Sequence, residues 1–402
     1  MDTSNLRPPA LCAALLALAA GAQPLTSNAL NPALSLILDA RLASHSNDPA
    51  AYQLPGFQLG PEVGPGERGF ALSEAELVVS ANVDEWFYGT LVAAIAEDGG
   101  EGVIELEEAW LQTLALPSGF TVKAGKFFSR IGYLNEKHPH AWDFADAPVA
   151  YDAFFAGNLK DTGVQLRWVA PTDLYLELGL EALSGESFPA AGRDRGGKGS
   201  HTLFAKLGGD LGASHSWQLG ASRVDARAVG RTIEVDDPAV EPEVAFSGDS
   251  RLWGFDFVWK WSPDGNYQAR SLVFSAEWLQ REESGDLEVR FPSASLPDAG
   301  AYAGEQDGLY AQAVYRWRPQ WRVGLRYDRL SADNAVTGLS APIGLADDAH
   351  APTRTTLMVD YSHTEFSRIR LQLARDGSSP ATDHQLVLQY VASLGAHGAH
   401  QY

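Results

Sequence analysis

The stretch from Arg251 to Gln280 decides the fold class: it reads RLWGFDFVWKW (251–261), SPDGN (262–266) and YQARSLVFSAEWLQ (267–280). In the first arm, every second residue from Trp253 to Trp261 is aromatic, and the residues between them are Gly254, Asp256, Val258 and Lys260. Because alternate side chains of a strand point to opposite faces, this arm has one aromatic face and one mixed polar face. The link is rich in turn-forming residues. A membrane-spanning barrel, with lipid outside and water inside, explains such a hairpin.

The rest of the chain fits an exported protein with this architecture. It has 402 residues, a formal net charge of −21, eleven Trp and one Cys. An apolar run at Ala10–Ala20, followed by an A-x-A cleavage pattern, predicts a secretory signal peptide over residues 1–22. No apolar run reaches the roughly 20 residues of a spanning helix. We therefore expect one transmembrane barrel domain over 23–402, and the acidic charge argues against nucleic acid as a partner.

Alternating segments recur along the whole chain, and their connectors alternate between short and long. This pattern predicts an all-β fold, a single antiparallel barrel of about sixteen strands. The strands are expected near 33–43, 72–83, 86–97, 102–114, 120–129, 163–170, 173–182, 202–210, 216–225, 251–262, 267–281, 308–317, 321–330, 353–362, 366–375 and 384–402.

A soluble all-β protein would also show this alternation. The signal peptide, the connector asymmetry and the aromatic residues at strand ends, such as Trp317 and Trp321, together favour an outer-membrane barrel. Its termini are then in the periplasm, and its outer surface contacts membrane lipids and lipopolysaccharide. The last strand ends at Tyr402, a terminal aromatic typical of chains delivered to the barrel-assembly machinery.

Residues of the opposite parity are expected to face the lumen. The late strands place a ladder of arginines there, and the early strands contribute carboxylates such as Glu105 and Glu107. Such segregation predicts a transverse field across a pore constriction; inward Arg and Glu that simply pair with each other are the alternative. Glu108 shares the lipid-facing parity of Ile104 and Trp110, for which a subunit contact is the available explanation. The ladder consists of Arg316, Arg322, Arg326, Arg354, Arg368 and Arg370.

The long connector 130–162 carries its own aromatic and acidic residues. A loop this apolar should pack against something, which predicts that this third loop folds into the barrel and brings Asp143 and Asp146 opposite the arginines. His138 and His140 lie close to these aspartates and could bind a divalent metal such as Zn²⁺. His-x-His does not close a site by itself, and a hydrogen-bonded structural role also explains the two histidines.

Two resemblances add to this reading. Residues 108–111 (EAWL) and 122–127 (VKAGKF) look like a strand pair of the phosphate-selective porin family, which implies a sixteen-stranded, trimeric porin with a lysine-lined anion path.

Four further segments are similar to a group of bacterial outer-membrane proteins often labelled zinc-regulated or TonB-dependent receptors: 37–41 (ILDAR), 54–59 (LPGFQL), 141–146 (AWDFAD) and 395–400 (GAHGAH). That label implies energised uptake of a metal complex. We expect no plug domain, since only about ten residues separate the cleavage site from the first strand.

The sequence thus predicts an outer-membrane, porin-like channel for passive diffusion of small hydrophilic solutes or ions, with a homotrimer as its expected assembly. No catalytic residues are predicted, and no cofactor is required, although Zn²⁺ could bind. The alternative is a zinc- or metal-related uptake receptor that uses His138 and His140.

Overall fold

The computed structural model describes residues 32–60, 63–98, 101–191, 199–233, 243–290, 297–340, 343–345 and 350–395. Within these residues, sixteen antiparallel strands form one closed barrel in which each strand pairs with its neighbours in sequence and β1 pairs with β16. This confirms the predicted fold class. The predicted signal peptide over residues 1–22 and the terminal Tyr402 lie outside the described residues.

Each strand is named by its order in the chain, and one short helix lies inside the barrel. Among the described residues, no helix has the length and apolar character to cross a membrane. The elements are β1 Ala33–His45, β2 Gly69–Asn82, β3 Phe87–Asp98, β4 Glu101–Thr113, β5 Phe120–Phe128, α1 Val149–Phe155, β6 Lys160–Val169, β7 Tyr175–Leu183, β8 Ser200–Leu211, β9 His215–Ile233, β10 Glu243–Trp261, β11 Ser271–Arg290, β12 Asp298–Arg318, β13 Trp321–Thr337, β14 Thr353–Thr364, β15 Ser367–Gly377 and β16 Asp383–Gly395.

The connectors alternate in length, as predicted. Short turns such as 212–214 and 319–320 follow the even-numbered strands, whereas longer connectors follow most of the odd-numbered ones. Three of the longer connectors matter for the interior. They are called the first loop (46–68), the third loop (129–159) and the fourth loop (184–199).

The outer face of the barrel is apolar. Leucines such as Leu180, Leu325 and Leu388 point outward, and Leu325 keeps 53% of its surface exposed. In water this exposure would be unfavourable, whereas lipid covers it at no cost. At the short-turn end, Trp321 stacks on Trp317 at 6.0 Å and contacts Tyr361 at 4.9 Å, as in an interfacial aromatic girdle.

Strands β9 to β13 are longer than the sequence predicts. They contain between 17 and 21 residues, whereas about 10 suffice to cross a bilayer at 45° tilt. The extra residues all lie at the long-loop end. We predicted loops there because the outward face beyond the lipid is polar, so the apolar alternation that signals a strand is lost.

A bulge in β4 changes which residues of that strand face inward. Val92 pairs with Glu108 and the next residue, Ala93, pairs with Leu106, so Glu107 is the additional residue. A bulge shifts the alternation of side chains by one position. Glu107 and Glu108 therefore both point into the barrel, and the expectation that Glu108 faces lipid or a subunit was wrong.

Candidate functional site

The third loop folds into the barrel, as its composition predicts, and carries α1 with it. Ile131, Leu134, Val149 and Phe154 pack against wall residues such as Leu330 in a buried apolar cluster. The helix ends at Ala156, whose left-handed conformation (φ 53°) turns the chain so that the N–H of Gly157 bonds to the carbonyl of Tyr151 (3.2 Å). The loop is thus a packed part of the interior, and its apolar residues explain why it does not stay in water.

Arginines of β13 to β15 bind the backbone of the third loop. Arg368 donates to the carbonyl of His140 (2.6 Å), and Arg370 donates to that of Trp142 (2.8 Å). Further along, Arg326 donates to the carbonyl of Asp146 (2.8 Å), and Arg354 to that of Ala147. Charge-assisted hydrogen bonds are about twice as strong as neutral ones. The arginine ladder therefore fastens successive carbonyls of the loop to one wall.

The loop carboxylates complete this attachment. Asp143 Oδ1 lies 2.7 Å from Arg322 Nη1, and Asp146 Oδ1 lies 2.7 Å from Arg326 Nη2. Burial raises the pKa of Asp146, but Arg326 and then Arg354 outweigh this effect and hold that pKa below its usual range. We expected these aspartates to face the arginines across a constriction; they are instead in direct contact. No passage runs between them.

Strand aspartates balance the remaining charge of the ladder. Asp360 Oδ2 accepts from Arg322 at 2.6 Å, and Asp328 Oδ2 accepts from Arg326 at 3.1 Å. Both aspartates are buried. An unpaired buried arginine would be strongly destabilising, and Arg322 and Arg326 each have a strand aspartate as a partner as well as the loop.

Two of the predicted constriction residues lie elsewhere. Arg316 is at the short-turn end, where its Nη1 donates to the carbonyl of Pro319 at 2.6 Å. The side chain of Glu105 is 46% exposed and lies 2.8 Å from Lys160 and 3.7 Å from Lys126. In contrast, Glu107 is buried beside the third loop.

A second attachment of the loop, on β11, was not predicted as part of the site. The carboxylate of Glu277 accepts from Tyr151 (3.0 Å), from Tyr310 (2.6 Å) and from the N–H of Leu134 (3.0 Å). Gly132 allows this approach: its φ is +59°, and a Cβ there would lie 2.2 Å from Glu277 Oε2. The inward parity of Glu277 is visible in the sequence, but its two partners in the third loop lie more than 100 positions away.

The long-loop end of the barrel is also filled. Arg231 is buried against Glu283 (2.9 Å), and it donates to Gln58 of the first loop and to the carbonyl of Pro189 of the fourth loop. The carbonyl of Gly56 in the first loop accepts hydrogen bonds from the wall side chains of Asn334 (2.6 Å) and Gln306 (2.7 Å). The first and fourth loops therefore narrow the entrance above the third loop.

Water reaches charged groups inside the barrel. The side chains of Asp143, Asp146 and Glu136 keep 22%, 27% and 27% of their surface exposed. Glu136 of the third loop is surrounded by cations. Burial raises its pKa, but Arg130 and wall residues lower it below the usual range; the wall residues are Lys206, Lys123 and Arg167. The solvent-accessible space thus borders Glu136 and the cationic side chains that face it from β5, β6 and β8.

The two histidines of the third loop meet carboxylates of β2 and β4, and the predicted proximity to Asp143 and Asp146 does not produce a contact. His138 Nδ1 lies 3.2 Å from Glu107 Oε2, and His140 Nδ1 lies 2.9 Å from Glu76 Oε1. Burial lowers the pKa of His138, but hydrogen bonds to Glu107 and Glu108 raise it well above its usual value. His138 and His140 thus attach the loop to β2 and β4, and Arg368 of the ladder holds the backbone of His140 from β15.

One relative has a clear sequence match to the chain. It is an uncharacterized protein of Aquifex aeolicus (strain VF5), 32% identical over 407 residues, which cover 94% of this chain and 81% of that protein. The chain belongs to the same family as this Aquifex protein. No family model matches the sequence, including one for either resemblance described above.

Solved structures of outer-membrane proteins share the fold. A loop-deletion mutant of OmpT, an outer membrane protein of Vibrio cholerae, matches with a TM-score of 0.54 at 10% identity, over 91% of this chain and all of that chain. The outer membrane channel DcaP of Acinetobacter baumannii matches with 0.51 at 13% identity, over 92% and 99%. An anion-selective porin from Comamonas acidovorans matches with 0.50 at 11% identity, over 90% and 99%. At these identities the similarity establishes the fold, a porin-type barrel without a plug domain in the described residues.

Proposed function

We propose that the chain is an outer-membrane channel that passes small hydrophilic solutes or ions by passive diffusion. One observation carries the proposal. Inside a closed barrel with an apolar outer face, the third loop is fastened to the wall while the side chains of Glu136 and Asp146 stay partly exposed to solvent. Such a loop narrows the lumen without sealing it, which gives a size limit and a local field for permeating solutes.

The structural neighbours support this proposal through their fold. Two of them are a channel and a porin, and barrels of this size hold an aqueous lumen. We place the chain in the bacterial outer membrane with both termini in the periplasm, in contact with lipid and lipopolysaccharide. Its C-terminal strand would address it to the barrel-assembly machinery. A homotrimer is the expected assembly, since one neighbour is described in a trimer form. No catalytic role is proposed.

Swelling of proteoliposomes in a series of uncharged sugars tests the proposal. Vesicles that contain refolded protein should swell faster than protein-free vesicles in a monosaccharide, and the rate should fall as the sugar grows. Heat-denatured protein added to the same lipid is the control. Swelling equal to that of the control for every sugar, in vesicles shown to contain folded barrels, would contradict the proposal.

Metal uptake is a second candidate, because His138 and His140 lie against carboxylates. A transport site must allow its ion to enter and leave readily. The carboxylates that face the two histidines are instead buried where the third loop meets the wall. Radioactive zinc flux into proteoliposomes separates the two functions. Saturable flux that is lost when both histidines become Ala favours uptake; flux that rises linearly with zinc and survives the change favours diffusion.

A further inference from the structure

A compact set of metal-type donors lies where the third loop meets β2 and β4. His138 comes from the loop, Glu76 from β2 and Glu107 from the bulge of β4. One nitrogen or oxygen from each of these three side chains lies within 4.8 Å of the other two. Two strands and the loop thus converge on one point.

The distances from His138 to the two carboxylates match those around a tetrahedral metal. With metal–ligand bonds of about 2.1 Å, neighbouring ligand atoms are separated by about 3.4 Å. His138 Nδ1 lies 3.4 Å from Glu76 Oε1 and 3.2 Å from Glu107 Oε2. The two carboxylate oxygens lie within 4.8 Å of each other, so a small movement of one side chain would let the three donors bind one ion. A water molecule or His140, whose Nδ1 lies 2.9 Å from Glu76 Oε1, would supply the fourth ligand.

The second nitrogen of His138 has the partner that a metal-bound histidine usually has. Its Nε2 lies 3.0 Å from Glu108 Oε2, and Glu108 is held in turn by Trp110 Nε1 (3.1 Å). Metal-ligating imidazoles commonly donate their other N–H to a carboxylate, which fixes the tautomer and the ring orientation. The bulge at Glu107 is what provides two adjacent inward carboxylates, one for the ion and one for the imidazole.

Acidic side chains outnumber basic ones around this point. Glu74 lies within hydrogen-bonding distance of Glu76 on β2, and the two inward carboxylates of β4 contact His138. Lys160, 3.2 Å from Glu107, and the His138 imidazole are the basic groups recorded beside them. A divalent ion that replaces the proton on His138 Nδ1 would add positive charge where the carboxylates converge.

We propose that a first-row divalent cation, with Zn²⁺ as the best match to imidazole and carboxylate donors, binds Glu76, Glu107 and His138 and fastens the third loop to β2 and β4. Glu108 is a positioning residue that acts through His138. This role is structural, and it goes beyond the proposed channel function. A channel that conducts without binding metal would overturn this proposal and leave the diffusion proposal intact.

Zinc titration of the refolded, chelator-treated protein tests the site. The wild type should bind one Zn²⁺ per chain, and zinc should raise its melting temperature. His138→Ala and Glu107→Gln should weaken binding at least 100-fold and abolish the thermal shift, and Glu108→Gln should weaken it roughly 10- to 100-fold. His384→Ala, at an exposed position on β16, is the matched control and should behave as wild type.

The test does not depend on how well the variants fold. Glu107→Gln is nearly isosteric, and heat-dependent migration on gels reports whether each variant forms the barrel. Tetrahedral Co²⁺ spectra of the wild type, absent from His138→Ala, would support the coordination. Equal zinc affinity in the wild type, His138→Ala and Glu107→Gln, or no stoichiometric binding at all, would overturn the proposal in favour of a purely hydrogen-bonded contact.

Discussion

Replacement of Arg326 by Met should loosen the third loop without removing the packing that the arginine provides. The Arg326 side chain makes two charge-assisted hydrogen bonds to the loop, to Asp146 Oδ1 (2.7 Å) and to the Asp146 carbonyl (2.8 Å). Its guanidinium also lies 4.8 Å from the ring of Phe144, a contact that the Met side chain can keep. The change therefore removes polar attachment more than apolar burial.

The magnitude follows from these two bonds. Each is worth about 1.5–3 kcal/mol, and the partial exposure of Asp146 places them at the lower end, about 3 kcal/mol in total. At about 1.4 kcal/mol per factor of ten, the ratio of detached to attached loop should rise by roughly 100-fold. The other arginines still hold the loop, so the attached state remains the major one.

Single-channel recording of Arg326→Met should detect detachment of the third loop as more frequent excursions to a larger conductance. Asp146→Asn keeps the bond to the carbonyl and should produce a smaller increase, and the two effects should not be additive, because both changes remove the contact with Asp146 Oδ1. Arg329→Met is the matched control, since Arg329 is exposed on the same strand. If the excursion frequency of Arg326→Met equals that of the wild type and of Arg329→Met, the ladder does not hold the loop.

Three further predictions follow. Glu277→Ala leaves the hydroxyls of Tyr151 and Tyr310 without their buried acceptor, so the free energy of unfolding in urea should fall by about 3 kcal/mol or more; a fall below about 1 kcal/mol would contradict the role of Glu277. Burial, with smaller effects from nearby charges, raises the pKa of Asp152 to about 8. The native chain then binds a proton that the unfolded chain lacks between about pH 4 and 8, and stability falls as pH rises through that window. Asp152→Asn should lose this pH dependence, so its free energy of unfolding should increase relative to that of the wild type up to about pH 8. Parallel pH profiles of the free energy of unfolding would contradict the raised pKa of Asp152. Leu325→Arg places a charge on the lipid face and should destabilise the barrel in vesicles by about 2–4 kcal/mol relative to Leu325→Ala, and equal stability of the two variants would show that this face does not meet lipid.

The strand number and the outer face could be predicted because a single physical contrast sets both. Lipid selects apolar side chains at every second position, and this rule holds wherever the strand crosses the membrane, as at Leu309 and Tyr390. The rule stops at the membrane boundary. Residues 226–233 and 243–250 continue β9 and β10. Their outward-facing side chains are largely polar, so the apolar alternation ends before them and the sequence predicts a loop there.

The site could be predicted only in part, because its contacts join distant residues. The sequence places arginines on one wall and aspartates in the third loop, but it does not show whether a gap or a contact separates them. The partners of His138 depended on the bulge at Glu107, which reverses the direction of every later side chain in β4, including Trp110. A one-residue bulge has no clear signature in a single sequence, so Glu108 was assigned to the wrong face.

Single-channel conductance of the purified wild-type protein, in asymmetric salt across a planar bilayer, tests the central claim most directly. A solvent-accessible path beside Glu136 of the third loop predicts discrete, stable current steps and a measurable reversal potential. Bilayers that stay silent after insertion of folded barrels would show that the three inserted loops seal the lumen, and the chain would then not be a diffusion channel.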